Sequence, residues 1–318
     1  MKQRTIGNTG VTVSALGLGC NNFGLRIDEE ASRAVIHKAL DLGITFWDTA
    51  DVYGKRGGSE TMLGRHLGAR RKDIFLASKF GGAMHAPEDK NGNMKGCSRR
   101  YIMQAVEASL KRLNTDWIDL YQMHRFDQET PLEETMRALD DLVKQGKVRY
   151  LGFSTLVGWP FVDMQWTAKQ LGTTPLTCCE SEYSLLKRDA ERDLIPAMLK
   201  HGAQLLPYYP LAGGFLTGKY KRNAPLPEGA RITKGERYQG MFISEENWDI
   251  LDKLEAFCAA RGRTLLELAF AWLLAQPVIA TVIAGATKPA QLEANLRAVE
   301  WTLTPAEVAE VNEISKKA

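Results

Sequence analysis

One alternation governs this chain from residue 14 to its end. A short β-biased apolar run is followed by a polar turn and then by a stretch with helical spacing, about eight times over. "SALGLGC" leads to a helix over Asp28 to Leu42, with Asp28 as the expected N-cap and Gly43 as its stop. "ITFWDTAD" precedes a short helix from Ser59 to Leu67, and "IFLASKFG" precedes one from Ser98 to Leu113. After "WIDLYQMH" the spacing predicts a helix capped by Thr130, with Pro131 first, Glu133 third and Gly146 at its end. "VRYLGFST" goes with a helix near Gly158 to Leu171, "LTCCESEYS" with one near Asp189 to His201, and "AQLLPYYP" follows.

A stretch from Gly213 to Met241, rich in Gly, Pro, Lys and Arg, breaks the rhythm. Helices are then expected at Ser244 to Arg261 and Thr264 to Ala275. Strand "TVIAGAT" comes next, with a helix from Pro289 to Val299 and a terminal one after Thr304. Ahead of the first unit, "RTIG" and "VTVS" read as a β-hairpin turning through Asn8, Thr9 and Gly10.

Strands this apolar are covered on both faces, which requires a parallel sheet inside a layer of helices. About eight such units close on themselves more readily than they form an open sheet. The expected fold is therefore α/β, a (β/α)8 TIM barrel with an N-terminal β-hairpin and extra C-terminal helices, occupying residues 1–318 as a single domain. A dinucleotide-binding open sheet is the rival. No strand-to-helix turn carries the G-x-G-x-x-G that it uses, and no composition shift marks a boundary.

The formal net charge is +3, from 41 basic and 38 acidic residues without blocks of one sign, so neither nucleic acid nor an acidic membrane is the expected partner. A small molecule is. No apolar run approaches the ~18 residues of a membrane span, and the first residues lack a secretion signal, so a cytoplasmic location is expected. Cys20, Cys97, Cys178, Cys179 and Cys258 show no paired C-x-x-C spacing, which predicts buried thiols rather than disulfides or a metal site.

In a closed barrel the C-terminal strand ends meet at one mouth. Asp48 and Tyr53 leave the strand in "TFWDTADVYG", Lys79 ends "LASKFG" and His124 ends "LYQMH". An ammonium beside a phenol stabilises phenolate and lowers its pKa, a carboxylate keeps that ammonium charged, and a histidine can orient a carbonyl oxygen. Asp48, Tyr53, Lys79 and His124 thus form a candidate catalytic set for carbonyl reduction. Lys79 as a Schiff-base amine is the competing chemistry, disfavoured by a neighbouring carboxylate.

With "DTADVYG", "SKFG", "LYQMH", "GFST", "PLAGGFLTGKY" and "GATKPAQLEANLRA" in this order, the chain resembles the aldo-keto reductase superfamily. That resemblance implies NADPH bound at the barrel mouth and an aldehyde or ketone reduced to an alcohol, with Tyr53 as general acid. It places Ser154, Thr155 and Glu180 near the nicotinamide carboxamide and Tyr208 on the nicotinamide ring. Pro210, Leu211, Gly213, Leu216 and Lys219 fall at the pyrophosphate, and Gly285, Thr287, Lys288, Gln291 and Asn295 at the adenosine end. Lys288 at a helix start would neutralise a 2′-phosphate, which favours NADPH.

The chain departs from the family pattern where asparagine usually follows the serine (Thr155) and where glutamine usually stands on the sixth strand (Glu180). The resemblance also implies an alternative, an NADPH-binding regulatory subunit with little turnover. Phe23, Trp47, Phe80, Met84, Arg125, Phe126 and Tyr209 are candidate pocket residues, with residues 81–97, including His85, as a candidate lid.

Overall fold

A β-hairpin closes one end of the molecule. Strands β1 (Gln3–Thr5) and β2 (Thr12–Ser14) pair antiparallel, Thr5 opposite Thr12. The positive φ in the connection falls at Gly7 (φ 51), not at Asn8, Thr9 or Gly10, because Gly7 is pressed against the barrel. A Cβ there would lie 2.7 Å from Thr177 Cγ2, and the Gly7 N–H donates to Gln204 Oε1 at 2.9 Å. Ile6 and Val13 fill the base of the barrel interior, while the Arg4 guanidinium donates to the carbonyls of Leu274, Gln276 and Ile279.

The structure, a computed structural model, describes residues 1–84, 94–154 and 157–317, without the side chains of Lys234, Arg237 and Tyr238. Its main sheet has eight strands: β3 (Leu16–Gly19), β4 (Phe46–Asp48), β5 (Phe75–Phe80), β6 (Ile118–Met123), β7 (Val148–Ser154), β8 (Leu176–Glu182), β9 (Gln204–Tyr208) and β10 (Val282–Gly285). All neighbours pair parallel and follow chain order, with β10 returning beside β3. The Leu205 N–H donates to the Val278 carbonyl at 2.8 Å and the Ala280 N–H to the Leu205 carbonyl at 3.2 Å, which brings the two ends of the sheet together. The expected (β/α)8 barrel is the fold.

Alternation along the strands divides the apolar residues into two cores. Phe46, Phe75, Ala77, Leu120, Cys178, Leu206 and Ile283 point into the barrel. Leu18, Trp47, Leu76, Phe80, Tyr121, Phe153 and Cys179 point outward under the helices. The five cysteines are all buried, as expected.

The covering helices are α1 (Glu29–Asp41), α2 (Tyr53–His66), α3 (Arg99–Leu113), α4 (Leu132–Lys144), α5 (Trp159–Leu171), α6 (Leu194–His201), α7 (Glu236–Phe242), α8 (Glu245–Ala259), α9 (Leu265–Ala275), α10 (Pro289–Ala298) and α11 (Pro305–Ile314). Asp28 caps α1 by accepting from the Ala31 N–H, and Gly43 stops it at φ 69. Thr264 with Glu267 forms a capping box on α9, as Thr304 with Glu307 does on α11.

Two helix starts differ from expectation. Thr130 does not cap α4; its hydroxyl donates at 2.8 Å to Asp127 Oδ2, a carboxylate that also gathers the Cys97 and Glu129 N–H groups. The helix expected from Asp189 instead begins at Leu194, after a 3-10 turn over Asp189–Glu191. Pro196 lacks the N–H that an interior helical position needs, so it must stand in the first turn. Among the described residues no helix is long and apolar enough to cross a membrane.

Candidate active site

Asp48, Lys79, Gln122 and Glu180 lie on strands β4, β5, β6 and β8, on the inward-facing parity and near the C-terminal mouth. Tyr53 follows β4 through the turn 49–52 and heads α2. Residues 54–57 then run through four consecutive left-handed conformations before regular helix begins, close to the expected start at Ser59. Only glycine fits the first of these: a Cβ on Gly54 would lie 2.4 Å from the Ser59 nitrogen. This tight reversal follows the phenol whose hydroxyl lies 3.4 Å from Lys79 Nζ.

Lys79 is 0% exposed and sits at the centre. Its Nζ donates to Asp48 Oδ2 at 2.6 Å, to the Thr49 carbonyl at 3.1 Å and to the Tyr53 hydroxyl at 3.4 Å, and lies 3.1 Å from Glu180 Oε2. Gln122 Nε2 ties the two acids together, 3.4 Å from Asp48 Oδ1 and 3.2 Å from Glu180 Oε2. The His124 ring meets the Tyr53 ring edge-on, centroids 5.6 Å apart.

The charges follow from this packing. Burial works against the Lys79 ammonium, but Asp48 and Glu180 outweigh it, and the group is held well above the usual lysine range. It is charged, which argues against a Schiff-base amine. Burial first, then the Glu180 charge, pushes the Asp48 carboxyl up to about 8. Burial, reinforced by Lys79 and Arg125, drives His124 down to about 3, so it is a neutral hydrogen-bonding group.

Tyr53 corrects the expectation of a lowered phenol pKa. Burial raises it, and Asp48 and Glu180 add to that rise, so the pull of Lys79 does not prevail. The hydroxyl therefore stays protonated across the neutral range. Such a group can give up its proton when a developing negative oxygen lies against it.

The expected cofactor residues flank this cluster. Ser154 ends β7 in register with Glu180, and half-buried Tyr208 ends β9 with its ring 5.4 Å from that of Tyr209. Pro210, Gly213 and Leu216 are buried, Leu211 is half-buried and Lys219 exposed. Gly213 is needed twice over, for its φ of 67 and because a Cβ would lie 2.7 Å from the Phe242 ring. The 3-10 turn Ala212–Thr217, with positive φ at Ala212, Gly213 and Gly214, offers a bare, bent backbone.

At α10, Gly285, Lys288 and Gln291 are exposed, Thr287 is half-buried and Asn295 is buried. Gln291 Oε1 accepts from the Thr287 and Lys288 N–H groups at 2.7 and 3.2 Å, so this amide already caps the helix. Thr155, His85 and lid positions 85–93 lie outside the described residues.

Several pocket expectations fail. Trp47 and Phe80 face outward, Trp47 donating to the Ile44 carbonyl and Phe80 stacking on Tyr121, and Phe23 is fully buried in the same outer core. Strand parity explains the first two, since each adjoins an inward residue. Arg125 is exposed and Phe126 half-buried, its ring 5.0 Å from Trp159, which was not anticipated. Met84 is half-buried, and Tyr209 packs against Phe242 and beneath Arg231. A cavity of about 690 Å³ opens at the opposite end, near Arg4, Leu274, Trp301 and Leu303, far from the ionisable cluster that carries chemistry.

Gln122 was also missed, although it shares strand parity with His124. Among the described residues no cluster of His, Cys, Asp and Glu is arranged to hold a metal ion.

The chain matches the model of the aldo/keto reductase family over residues 15–316. It is 38% identical to the aldo-keto reductase yakc [NADP(+)] of Schizosaccharomyces pombe, over 99% of this chain and 92% of that protein. It is 32% identical to the L-glyceraldehyde 3-phosphate reductase of Escherichia coli O157:H7, covering 98% and 92%. A probable voltage-gated potassium channel subunit beta of Arabidopsis thaliana is 32% identical over 99% of this chain and 96% of that protein.

Proposed function

The chain belongs to the aldo/keto reductase family, and from that premise we propose that it reduces an aldehyde or ketone to an alcohol at the expense of NADPH, with Tyr53 as general acid. What carries this reading is the position of Lys79 Nζ, 2.6 Å from the Asp48 carboxylate and 3.4 Å from the Tyr53 hydroxyl. Bound NADPH supplies the hydride. The chain's own residues do the rest.

Tyr208, the bent 212–217 backbone and exposed Lys288 suit a nicotinamide ring, a pyrophosphate and a 2′-phosphate in that order, with Ser154, Pro210, Leu211, Gly213, Leu216, Lys219, Gly285, Thr287, Gln291 and Asn295 beside them. Gln291 fits less simply, because its oxygen already accepts two backbone N–H groups.

A carbonyl oxygen resting against the Tyr53 hydroxyl and neutral His124 is held by two donors. As that oxygen gains charge, Tyr53 releases its proton, and the phenolate left behind is stabilised by the Lys79 ammonium. Asp48 holds the ammonium in place. The test is a steady-state screen of aldehydes and ketones with NADPH and NADH. Turnover with 4-nitrobenzaldehyde and a preference for NADPH of at least about tenfold are expected; NADPH binding without consumption across the panel overturns the reading. That outcome would instead favour a regulatory subunit, the second reading that the channel-subunit relative supports.

A further inference from the structure

Lysine has three N–H donors, yet four oxygens stand within reach of Lys79 Nζ: Asp48 Oδ2 at 2.6 Å, the Thr49 carbonyl at 3.1 Å, Glu180 Oε2 at 3.1 Å and the Tyr53 hydroxyl at 3.4 Å. The phenol holds the longest of these contacts. Glu180 therefore competes with Tyr53 for the ammonium. It also brings a second carboxylate into a site where Asp48 and Glu180 are each 3% exposed and Lys79 is fully enclosed. With every group ionised, the three carry one uncompensated negative charge, which is costly to bury.

One proton shared by the two carboxyls removes that charge. Gln122 Nε2 bridges the two carboxyls, 3.4 Å from Asp48 Oδ1 and 3.2 Å from Glu180 Oε2. Among the described residues, the other groups around the cluster offer no second cation. Cys20 lies beyond β3, Tyr53 and His124 cover the mouth, Ser154 ends β7, and Glu182 and Tyr208 stand at the ends of β8 and β9. Arg125, which is exposed, acts on His124.

We propose that Glu180 is a second counter-ion of Lys79 that shares a single buried proton with Asp48, a positioning residue whose charge sets how readily the Tyr53 phenol yields its proton. With the proton in place the cluster is neutral and the phenol feels the ammonium. When the proton leaves, one negative charge stands behind the phenol and weakens it as an acid. The raised Asp48 carboxyl puts that loss near pH 8. This role goes beyond the nicotinamide-carboxamide contact implied for the position, and it rests on the reductase reading only where turnover is concerned.

Glu180→Gln separates the possibilities, because it keeps the shape and removes the charge. In the wild type the pH profile of kcat/KM for 4-nitrobenzaldehyde reduction should show a step near about pH 8. The variant should lack that step, whatever shift in NADPH affinity, read separately by fluorescence quenching, follows from the changed carboxamide contact. Difference infrared spectra give a readout without turnover. A protonated-carboxyl carbonyl band that fades as pH rises through about 8 should be present in the wild type and missing from Glu180→Gln, which keeps only the Asp51 band that fades through about 7. A step and band that persist in the variant overturn the proposal, as does a variant altered only in NADPH affinity. A Glu180-dependent band in a protein without turnover leaves the shared proton standing and fails the reductase reading instead. If the variant does not fold, a wild type without a carboxyl band fading at about pH 8, apart from the Asp51 band at about 7, is enough to overturn it.

Discussion

Two buried clusters at the mouth of this barrel each set two carboxylates around one cation, and they differ in what the cation can do. In the inner cluster both acids touch Lys79, at 2.6 and 3.1 Å, and the ammonium is fully enclosed. In the outer one, between the barrel and helices α2 and α3, Arg112 Nε donates to Glu60 at 2.7 Å while 22% of its side chain remains exposed. Glu60 also accepts from Ser78 Oγ at 2.5 Å, and Asp51 accepts from the Tyr101 hydroxyl at 3.4 Å. Burial, then the Glu60 charge, raises Asp51 to about 7.

Arginine's planar fork spends its donors on fixed acceptors and keeps its charge, which suits a clamp. The Asp51 N–H donates to the Lys79 carbonyl at 3.1 Å, so the outer cluster braces the turn that carries Tyr53. Lysine is a compact point charge with more acceptors than donors. Both clusters hold a carboxyl raised into the neutral range, Asp48 to about 8 and Asp51 to about 7, but only the inner one sets its cation against the Tyr53 hydroxyl, so only there does a proton bear on the phenol.

The largest effect that separates the two comes from removing the lysine. Lys79→Met leaves two buried carboxylates without a cation, and an unfolding loss of about 3–5 kcal/mol is expected at neutral pH together with loss of turnover. Both carboxyls would then hold protons in the fold. A group with a raised folded pKa contributes stability at low pH that is lost as pH rises, so the deficit should be smaller near pH 5 than near pH 8 in urea titrations. A pH-independent deficit would break the contrast.

Arg112→Met should cost less, about 2–3 kcal/mol, because the guanidinium is partly in solvent. Per folded molecule, kcat should fall by no more than about tenfold. A deeper fall in kcat, with stability intact, would move the outer cluster into the chemistry.

The sequence made much of this legible. Asp48, Tyr53, Lys79 and His124 could be read because parallel strands deliver equivalent end positions to one mouth, whatever their separation along the chain. The same reasoning, applied with strict period-two parity, would have placed Trp47 and Phe80 outside the barrel and Gln122 inside it. Glu180 was recognised as a departure from the family pattern, but its attachment to Lys79 depends on a distance across the barrel that no local spacing encodes. Thr130 failed as a cap for a similar reason: Asp127, gathering N–H groups from two segments, is the stronger acceptor.

The proposed acid itself is tested most directly by Tyr53→Phe. NADPH consumption with 4-nitrobenzaldehyde should fall by about a hundredfold to ten-thousandfold relative to wild type, while fluorescence quenching by NADPH is unchanged. Turnover within about threefold of wild type, at equal cofactor saturation, would contradict a phenol made ready by Lys79.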